Sequence, residues 1–177
     1  MIDDVLGPSP DVLFCGINPG LVSEATGHHF ARPGNRFWPA LHLSGFTPRR
    51  LAPAEQHLLP SYGLGITNIV PRASAKAAEL TRQELVEGAT ELTAKVAAAG
   101  PEVLAVLGIS AYRTAFGRPR SRIGEQAEPV GGARVWVLPN PSGLNAHWTL
   151  AAIADELRRL RLSLSRPAYR AAKSCVQ

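Results

Sequence analysis

The chain has 177 residues, a length that suits one domain with a core of ordinary size. It carries 19 Lys and Arg against 14 Asp and Glu, and this net charge of +5 is compatible with nucleic acid binding without indicating it. The sequence has no run of about 18 apolar residues, and its two cysteines, Cys15 and Cys175, are too few for a disulfide framework. We therefore expect a soluble cytoplasmic protein that neither spans a membrane nor depends on disulfides.

Four short apolar runs predict β-strands at residues 12–17, 65–70, 103–107 and 134–138. The runs are continuous rather than alternating, which is typical of parallel strands buried on both faces. The strands are therefore expected to form a parallel sheet.

Helical patterns occupy the intervals between these strands. We predict helices at residues 38–44, from the cap Thr81 to about residue 99, from the cap Ser110 to residue 116, and from the cap Thr149 onward. Alternating strands and helices indicate an α/β fold with helices on both faces of the sheet. One domain is expected over residues 1–162, followed by a flexible basic tail at 163–177.

The loops after the four strands are expected to lie together, because ligands of such sheets bind beyond the carboxyl ends of the strands. Three windows around these loops, 25–54, 103–124 and 129–154, contain no Asp or Glu. Their arginines are Arg32, Arg36, Arg49, Arg50, Arg113, Arg118, Arg120, Arg122 and Arg134. If the loops form one rim, that rim is positive and suits a phosphate backbone; the alternative is a scatter of solvated arginines.

The first strand ends in the turn GINPG, which would lift Asn18 out of the sheet toward a pocket. The carboxamide oxygen of Asn18 accepts a hydrogen bond but takes up no proton at neutral pH, so it would position a water without activating it strongly. The reaction must then depend on a good leaving group or on a transition state already cationic at the attacked carbon. The alternative is that Asn18 only satisfies its own turn.

The last strand ends in a second asparagine-proline turn, NPSGLN, which begins at Asn140. Leu144 is an apolar residue at the expected tip of this loop. Such a side chain could enter a base stack and fill the hole left by an extruded nucleotide. Alternatively, Leu144 packs back on the helix that Thr149 begins.

The block GHHFARPGNRFW places Phe30 among histidines, arginines and glycines, where an exposed aromatic ring can stack on a base. A core position is the alternative for Phe30, and it is the expectation for Phe37 and Trp38 at the head of a helix. His28 and His29 lack the spacing of zinc ligands to any cysteine or carboxylate cluster.

Taken together, five segments resemble the mismatch-specific uracil-DNA glycosylase and thymine-DNA glycosylase family. They are GINPG at 16–20, GHHFARPGNRFW at 27–38, TNIVPR at 67–72, VLGISAY at 106–112 and WVLPNPSGLN at 136–145. The resemblance implies a three-layer α/β/α fold with a central four-stranded parallel sheet. It also implies a monomeric, monofunctional glycosylase of base excision repair that acts on G:U mispairs in double-stranded DNA and needs no metal or cofactor.

The resemblance further implies roles for individual residues. Asn18 would hold the water that attacks the deoxyribose C1′. The flipped pyrimidine would meet Ile17, Gly20, Phe30, Asn68 and Asn140, and the DNA around it would meet Ser142, Gly143, Leu144 and Asn145. Asn68 stands where some relatives have lysine, so it would either widen the substrate range or pair with backbone.

The expected substrates are uracil and related pyrimidines such as ethenocytosine and, weakly, thymine, each opposite guanine. Some superfamily relatives have Asp in the first motif or His in the second. A chain with Asn18 and Asn140 in these places should turn over more slowly than they do, and it should retain its abasic product. Two other hypotheses remain at this point. One is a glycosylase that acts mainly on deaminated purines, and the other is a catalytically silent module that binds damaged DNA.

Overall fold

The computed structural model describes residues 1–165. Most of the predicted tail lies outside the described residues. At its start, Ser163 is the last residue of a helix, and the backbone N–H of Ser165 donates to the Glu102 carboxylate at 2.8 Å. Ser163 and Ser165, which the prediction assigns to the tail, therefore contact the rest of the domain.

Five strands form one mostly parallel sheet in the order β2-β1-β3-β5-β4. Their bounds are β1 Val12–Gly16, β2 Leu64–Asn68, β3 Val103–Leu107, β4 Gly124–Val130 and β5 Ala133–Leu138. The predicted α/β fold is confirmed, and the four predicted strands are the parallel ones. β4 was not predicted. It is an antiparallel edge strand of sequence GEQAEPV whose central residues are largely exposed, so it has no apolar run.

Within residues 1–165, five α-helices and two 3₁₀ helices connect or follow the strands. They are α1 Leu21–Thr26, α2 Phe37–Leu43, a 3₁₀ helix at Pro53–Tyr62, another at Ala77–Glu79, α3 Arg82–Ala99, α4 Ile109–Ala115 and α5 Leu150–Ser163. Thr81 and Thr149 cap α3 and α5 as predicted, since their hydroxyls accept hydrogen bonds from the third helical N–H. The prediction that Ser110 caps α4 was wrong. The residue that precedes the helix is Gly108, at φ +144°, so α4 begins at Ile109 and Ser110 already lies within it.

Apolar side chains bury both faces of the sheet, as the continuous strand runs predict. On one face Phe14 packs edge-on against Phe37 of α2, and α5 completes that layer. On the other face Leu92 of α3 and Tyr112 of α4 are fully buried. Phe37 and the neighbouring Trp38 are core residues, as expected. Within residues 1–165, no helix has the length and hydropathy needed to cross a membrane.

Candidate active site

A cleft of about 1050 Å³ opens where the four parallel strands end. The segments after all four strands line it, which confirms the expectation that these loops meet at one edge of the sheet. Every predicted site residue lines this cleft except Gly143, which lies in the same loop as Leu144. Among the described residues, the lining includes no Asp or Glu, so the cleft offers a reactant no carboxylate base.

Asn18 is held by a segment far away in the sequence. Its amide nitrogen Nδ2 donates to the Arg72 carbonyl oxygen and to Ser74 Oγ, both at 2.8 Å. The Ser74 hydroxyl donates in turn to the Lys76 carbonyl oxygen at 2.8 Å, so a lone pair of Oγ faces Asn18. Both amide hydrogens are therefore used, and the acceptor Oδ1 is the part of this carboxamide that remains for a ligand. Asn18 does not merely satisfy its own turn.

The segment that orients Asn18 is itself tied to α3. The Arg72 guanidinium bonds to Glu84, with its Nε 2.7 Å from Oε1, and Glu84 also closes the capping box with Thr81. The hydrogen bond from Arg72, followed by that from the Thr81 backbone, lowers the pKa of the Glu84 carboxyl to about 2. The carbonyl and hydroxyl that fix Asn18 thus lie on an anchored segment.

Gly16 forms the floor of the cleft between two predicted base contacts. A methyl group added to Gly16 would lie 2.6 Å from Asn68 Oδ1 and 3.4 Å from the Phe30 ring. Phe30 is partly buried, and its ring stacks on Phe37 with centroids 4.3 Å apart. Phe30 thus lines the cleft and also packs against the core, and its stacking on a base stays a prediction.

Ile17 and Gly20 complete the first loop. The Ile17 carbonyl oxygen accepts from the Val70 N–H at 3.0 Å, and its side chain lies against Gly108. Gly20 is the residue before α1, and its carbonyl oxygen accepts from Glu24. Both residues line the cleft next to Asn18.

The loop at residues 140–145, hereafter the wedge loop, is closed by its own side chains. Asn140 Oδ1 accepts from the Ser142 N–H at 3.0 Å, and Asn145 Nδ2 donates to the Asn140 carbonyl oxygen at 3.0 Å. The Asn140 amino group, a donor, therefore remains for a ligand in the cleft. Leu144 is 65% exposed, so the alternative in which it packs back on α5 was wrong.

Arg36 holds the wedge loop in place, which the sequence did not reveal. Its guanidinium donates to four backbone carbonyl oxygens, those of Pro141, Ser142, Asn145 and Trp148. The contacts to Ser142 and Asn145 measure 2.7 and 2.9 Å. The charge of Arg36 thus serves to fix the loop that carries Leu144.

The acid-free windows do not form one positive rim. Arg32 lines the cleft, but Arg49, Arg118 and Arg134 are paired with Glu55, Glu128 and Glu102. Arg134 follows the first residue of β5, at the end of the strand opposite the cleft. The sequence windows overestimated the positive charge because glutamates that lie outside these windows pair with three of the arginines.

The family comparison agrees with this geometry. A family model described as the uracil DNA glycosylase superfamily matches residues 4–162, which include the whole sheet and every segment that lines the cleft. The match supports hydrolysis of the glycosidic bond of uracil in DNA, a DNA repair activity. The chain belongs to the uracil DNA glycosylase superfamily.

Proposed function

We propose that the protein is a monofunctional glycosylase that releases uracil opposite guanine from double-stranded DNA, together with related pyrimidines such as ethenocytosine and, weakly, thymine. The observation that carries this proposal is the orientation of Asn18. Its two amide hydrogens are bound by Arg72 and Ser74, so Oδ1 is left to hold a water in a cleft whose described lining has no carboxylate.

The chemistry follows from what Asn18 offers. Its oxygen would place the water opposite the departing base, for attack on the deoxyribose C1′, without removing a proton in advance. Breaking the glycosidic bond first builds positive charge on the sugar and negative charge on the base. The Asn140 amino group would donate to the base as that negative charge grows. With so weak an activation of water, a good leaving base such as uracil is required.

The floor of the cleft would hold the flipped base. Phe30 presents its ring beside Gly16, where a planar base can stack, and Asn68 presents its carboxamide at the same point. Because Gly16 has no side chain, the Asn68 carboxamide and the Phe30 ring can lie close together at the end of β1.

The wedge loop accounts for the preference for mispairs. Leu144 would enter the base stack as the nucleotide leaves it, and unstacking costs a few kcal/mol. A mispaired uracil is held less firmly by its partner than a paired base, so the same wedge extrudes it more often. The substrate would therefore be selected both by the weakness of its mispair and by the quality of the base as a leaving group.

A lesion panel in single-turnover reactions tests the proposal. Uracil, ethenocytosine and thymine opposite guanine, uracil opposite adenine, single-stranded uracil and hypoxanthine are incubated with excess enzyme, and abasic sites are cleaved by alkali. We expect G:U to react fastest among the duplexes. If hypoxanthine is released faster than uracil, the substrate class is wrong, and if no substrate reacts, the protein is a binding module.

Two variants assign the residues in the same assay. Asn18→Ala should slow base release by orders of magnitude while binding to G:U duplex persists. Leu144→Ala should slow release from duplex more than from single strands, whereas Leu162→Ala, a matched control that is 69% exposed on α5, should change neither. Equal losses on duplex and single strand would remove the wedge role.

A further inference from the structure

His29 is a buried neutral residue beside the base pocket, and its protonation pattern is set by its surroundings. His29 as a whole is 2% exposed, and its Nε2 lies 2.8 Å from the Asp3 carbonyl oxygen. A carbonyl oxygen only accepts, so Nε2 carries the hydrogen. Burial lowers the pKa of His29 below its ordinary 6.5, so the imidazole is neutral at neutral pH and Nδ1 is an acceptor.

The acceptor Nδ1 faces Asn68. The amide nitrogen Nδ2 of Asn68 lies 3.5 Å from His29 Nδ1, a long hydrogen bond that would shorten once a ligand orders the site. Only the amino end of the carboxamide can face a lone pair, because the carbonyl end would place two acceptors together. Asn68 Oδ1 is therefore directed to the opposite side, above Gly16 and next to the Phe30 ring.

This orientation distinguishes two pyrimidines. Uracil presents a donor at N3 and an acceptor at O4, and a carboxamide that offers Oδ1 and its second amide hydrogen matches both. Cytosine presents an acceptor at N3 and a donor at N4, so the same carboxamide would meet it with like groups opposed. A site built to hydrogen-bond one pattern discriminates strongly against the other because buried polar groups are left unpaired.

We propose that His29 is a specificity-determining positioning residue, which holds the Asn68 carboxamide in the orientation that pairs with uracil and not with cytosine. The proposal rests on the proposed function of the cleft, in which Asn68 contacts the flipped base. His29 itself touches no substrate. It acts by orienting the Asn68 carboxamide, and the Asp3 carbonyl acts by fixing the hydrogen of His29 on Nε2.

The same arrangement makes base preference depend on pH. A second proton on His29 would sit on Nδ1 and could face only Asn68 Oδ1, which turns the carboxamide around. Burial has the largest effect on the pKa of His29 and lowers it, whereas the Asp3 carbonyl and the Asp4 carboxylate raise it. Asp4 is paired with Lys95 at 2.6 Å, and the other polar groups around the residue, from Gln56 and Trp38, are neutral. The preference for uracil should therefore weaken only as the pH falls below 6.5.

Binding to uncleavable duplexes tests the proposal without requiring turnover. Oligonucleotides carry 2′-fluoroarabino uridine or cytidine opposite an abasic analogue, so that neither leaving-group ability nor pairing strength contributes, and affinities are measured by fluorescence anisotropy between pH 8 and roughly pH 5.5. Wild type should prefer uridine. His29→Leu should reduce the uridine-to-cytidine affinity ratio about 10- to 100-fold. His29→Asn, which carries an acceptor near the position of Nδ1, should retain most of the preference and lose its pH dependence.

The outcomes separate this inference from the proposed function. A preference that survives Asn68→Ala overturns the assigned role of Asn68 and the inference with it. A preference that is lost in Asn68→Ala but kept in His29→Leu overturns the inference alone. Nitrogen NMR of the His29 ring in the free wild-type protein is independent of variant folding: the Nε2–H form supports the inference, and an Nδ1–H form at neutral pH overturns it.

Discussion

Replacing Arg36 with glutamine is expected to disorder the wedge loop while leaving the base pocket intact. Among the described residues, the Arg36 guanidinium is the one group that joins the carbonyls of Pro141, Ser142, Asn145 and Trp148. Asn18 and Phe30 are fixed by other contacts. The backbone N–H of residue 36 also donates to Pro141, and this bond survives the substitution.

The magnitude follows from the individual contacts. The 3.4 Å contact from Nε to Pro141 contributes little, and the three contacts from the Nη atoms are each worth about 1.5 kcal/mol, since water can solvate the freed carbonyls. This gives about 4 to 5 kcal/mol in all. If about half of it falls on the ordering of the loop and the rest on folding, the loop loses about 2 to 2.5 kcal/mol, or roughly 30- to 70-fold in the population competent to enter DNA.

A double-mutant cycle with Leu144→Ala checks this reasoning. Single-turnover rates on G:U duplex, with enzyme in excess of DNA but below saturation, are measured for Arg36→Gln, Leu144→Ala and the double variant, with single-stranded uracil as the control substrate. If Arg36 acts by presenting Leu144, the second substitution costs little once the first is made. Additive losses on duplex, or an equal loss on single strands, would refute the proposed link. Arg36→Lys should recover only part of the rate, because an ammonium cannot reach all four carbonyls.

Three further predictions concern the cleft and its support. Ser74→Ala removes one acceptor from the Asn18 carboxamide and should slow base release about tenfold without weakening G:U binding. Ser74→Thr should be nearly normal, and equal rates in both variants would refute the orienting role. Gly16→Ala places a methyl group 2.6 Å from Asn68 Oδ1 and should lower uracil release at least tenfold at unchanged thermal stability, and a normal rate would show that the floor of the cleft tolerates bulk. Glu84, with its pKa near 2 through its bond with Arg72, contributes stability above its ordinary pKa of 4.5 that is lost as the pH falls through about 2. The difference in urea midpoint between Glu84→Gln and wild type should therefore shrink as the pH falls, and a difference independent of pH would contradict this.

The sheet and its ligand-binding edge could be predicted because their signals are local. Continuous apolar runs identify buried parallel strands, and the turns after them must lie at one edge. β4 has no such signal, because an edge strand with Pro129 and mostly exposed side chains resembles a loop. The short helix α1 was missed for a similar reason, since Leu21 and Val22 are exposed and form no apolar stripe.

The residues that orient the site could not be predicted because their partners are remote. Ser74 meets Asn18 from 56 residues away, and Arg36 binds carbonyls more than 100 residues later in the chain. Backbone carbonyls leave no trace in the sequence. His29 was considered only as a metal ligand, although its position beside Phe30 could have suggested a contact in the base pocket.

The antiparallel bridge between Val5 and Ile66 links the outer edge of the sheet to base selection. Its two backbone hydrogen bonds, 2.9 and 2.8 Å long, cover β2 and also place the Asp3 carbonyl over His29. A protein cleaved after Val5, or displaced there by a bulky affinity tag, would expose an unpaired strand edge that invites aggregation. In the molecules that stayed in solution, the Asp3 carbonyl would no longer fix the hydrogen of His29 on Nε2. Preparations that differ only at residues 1–5 would then differ in which base they bind.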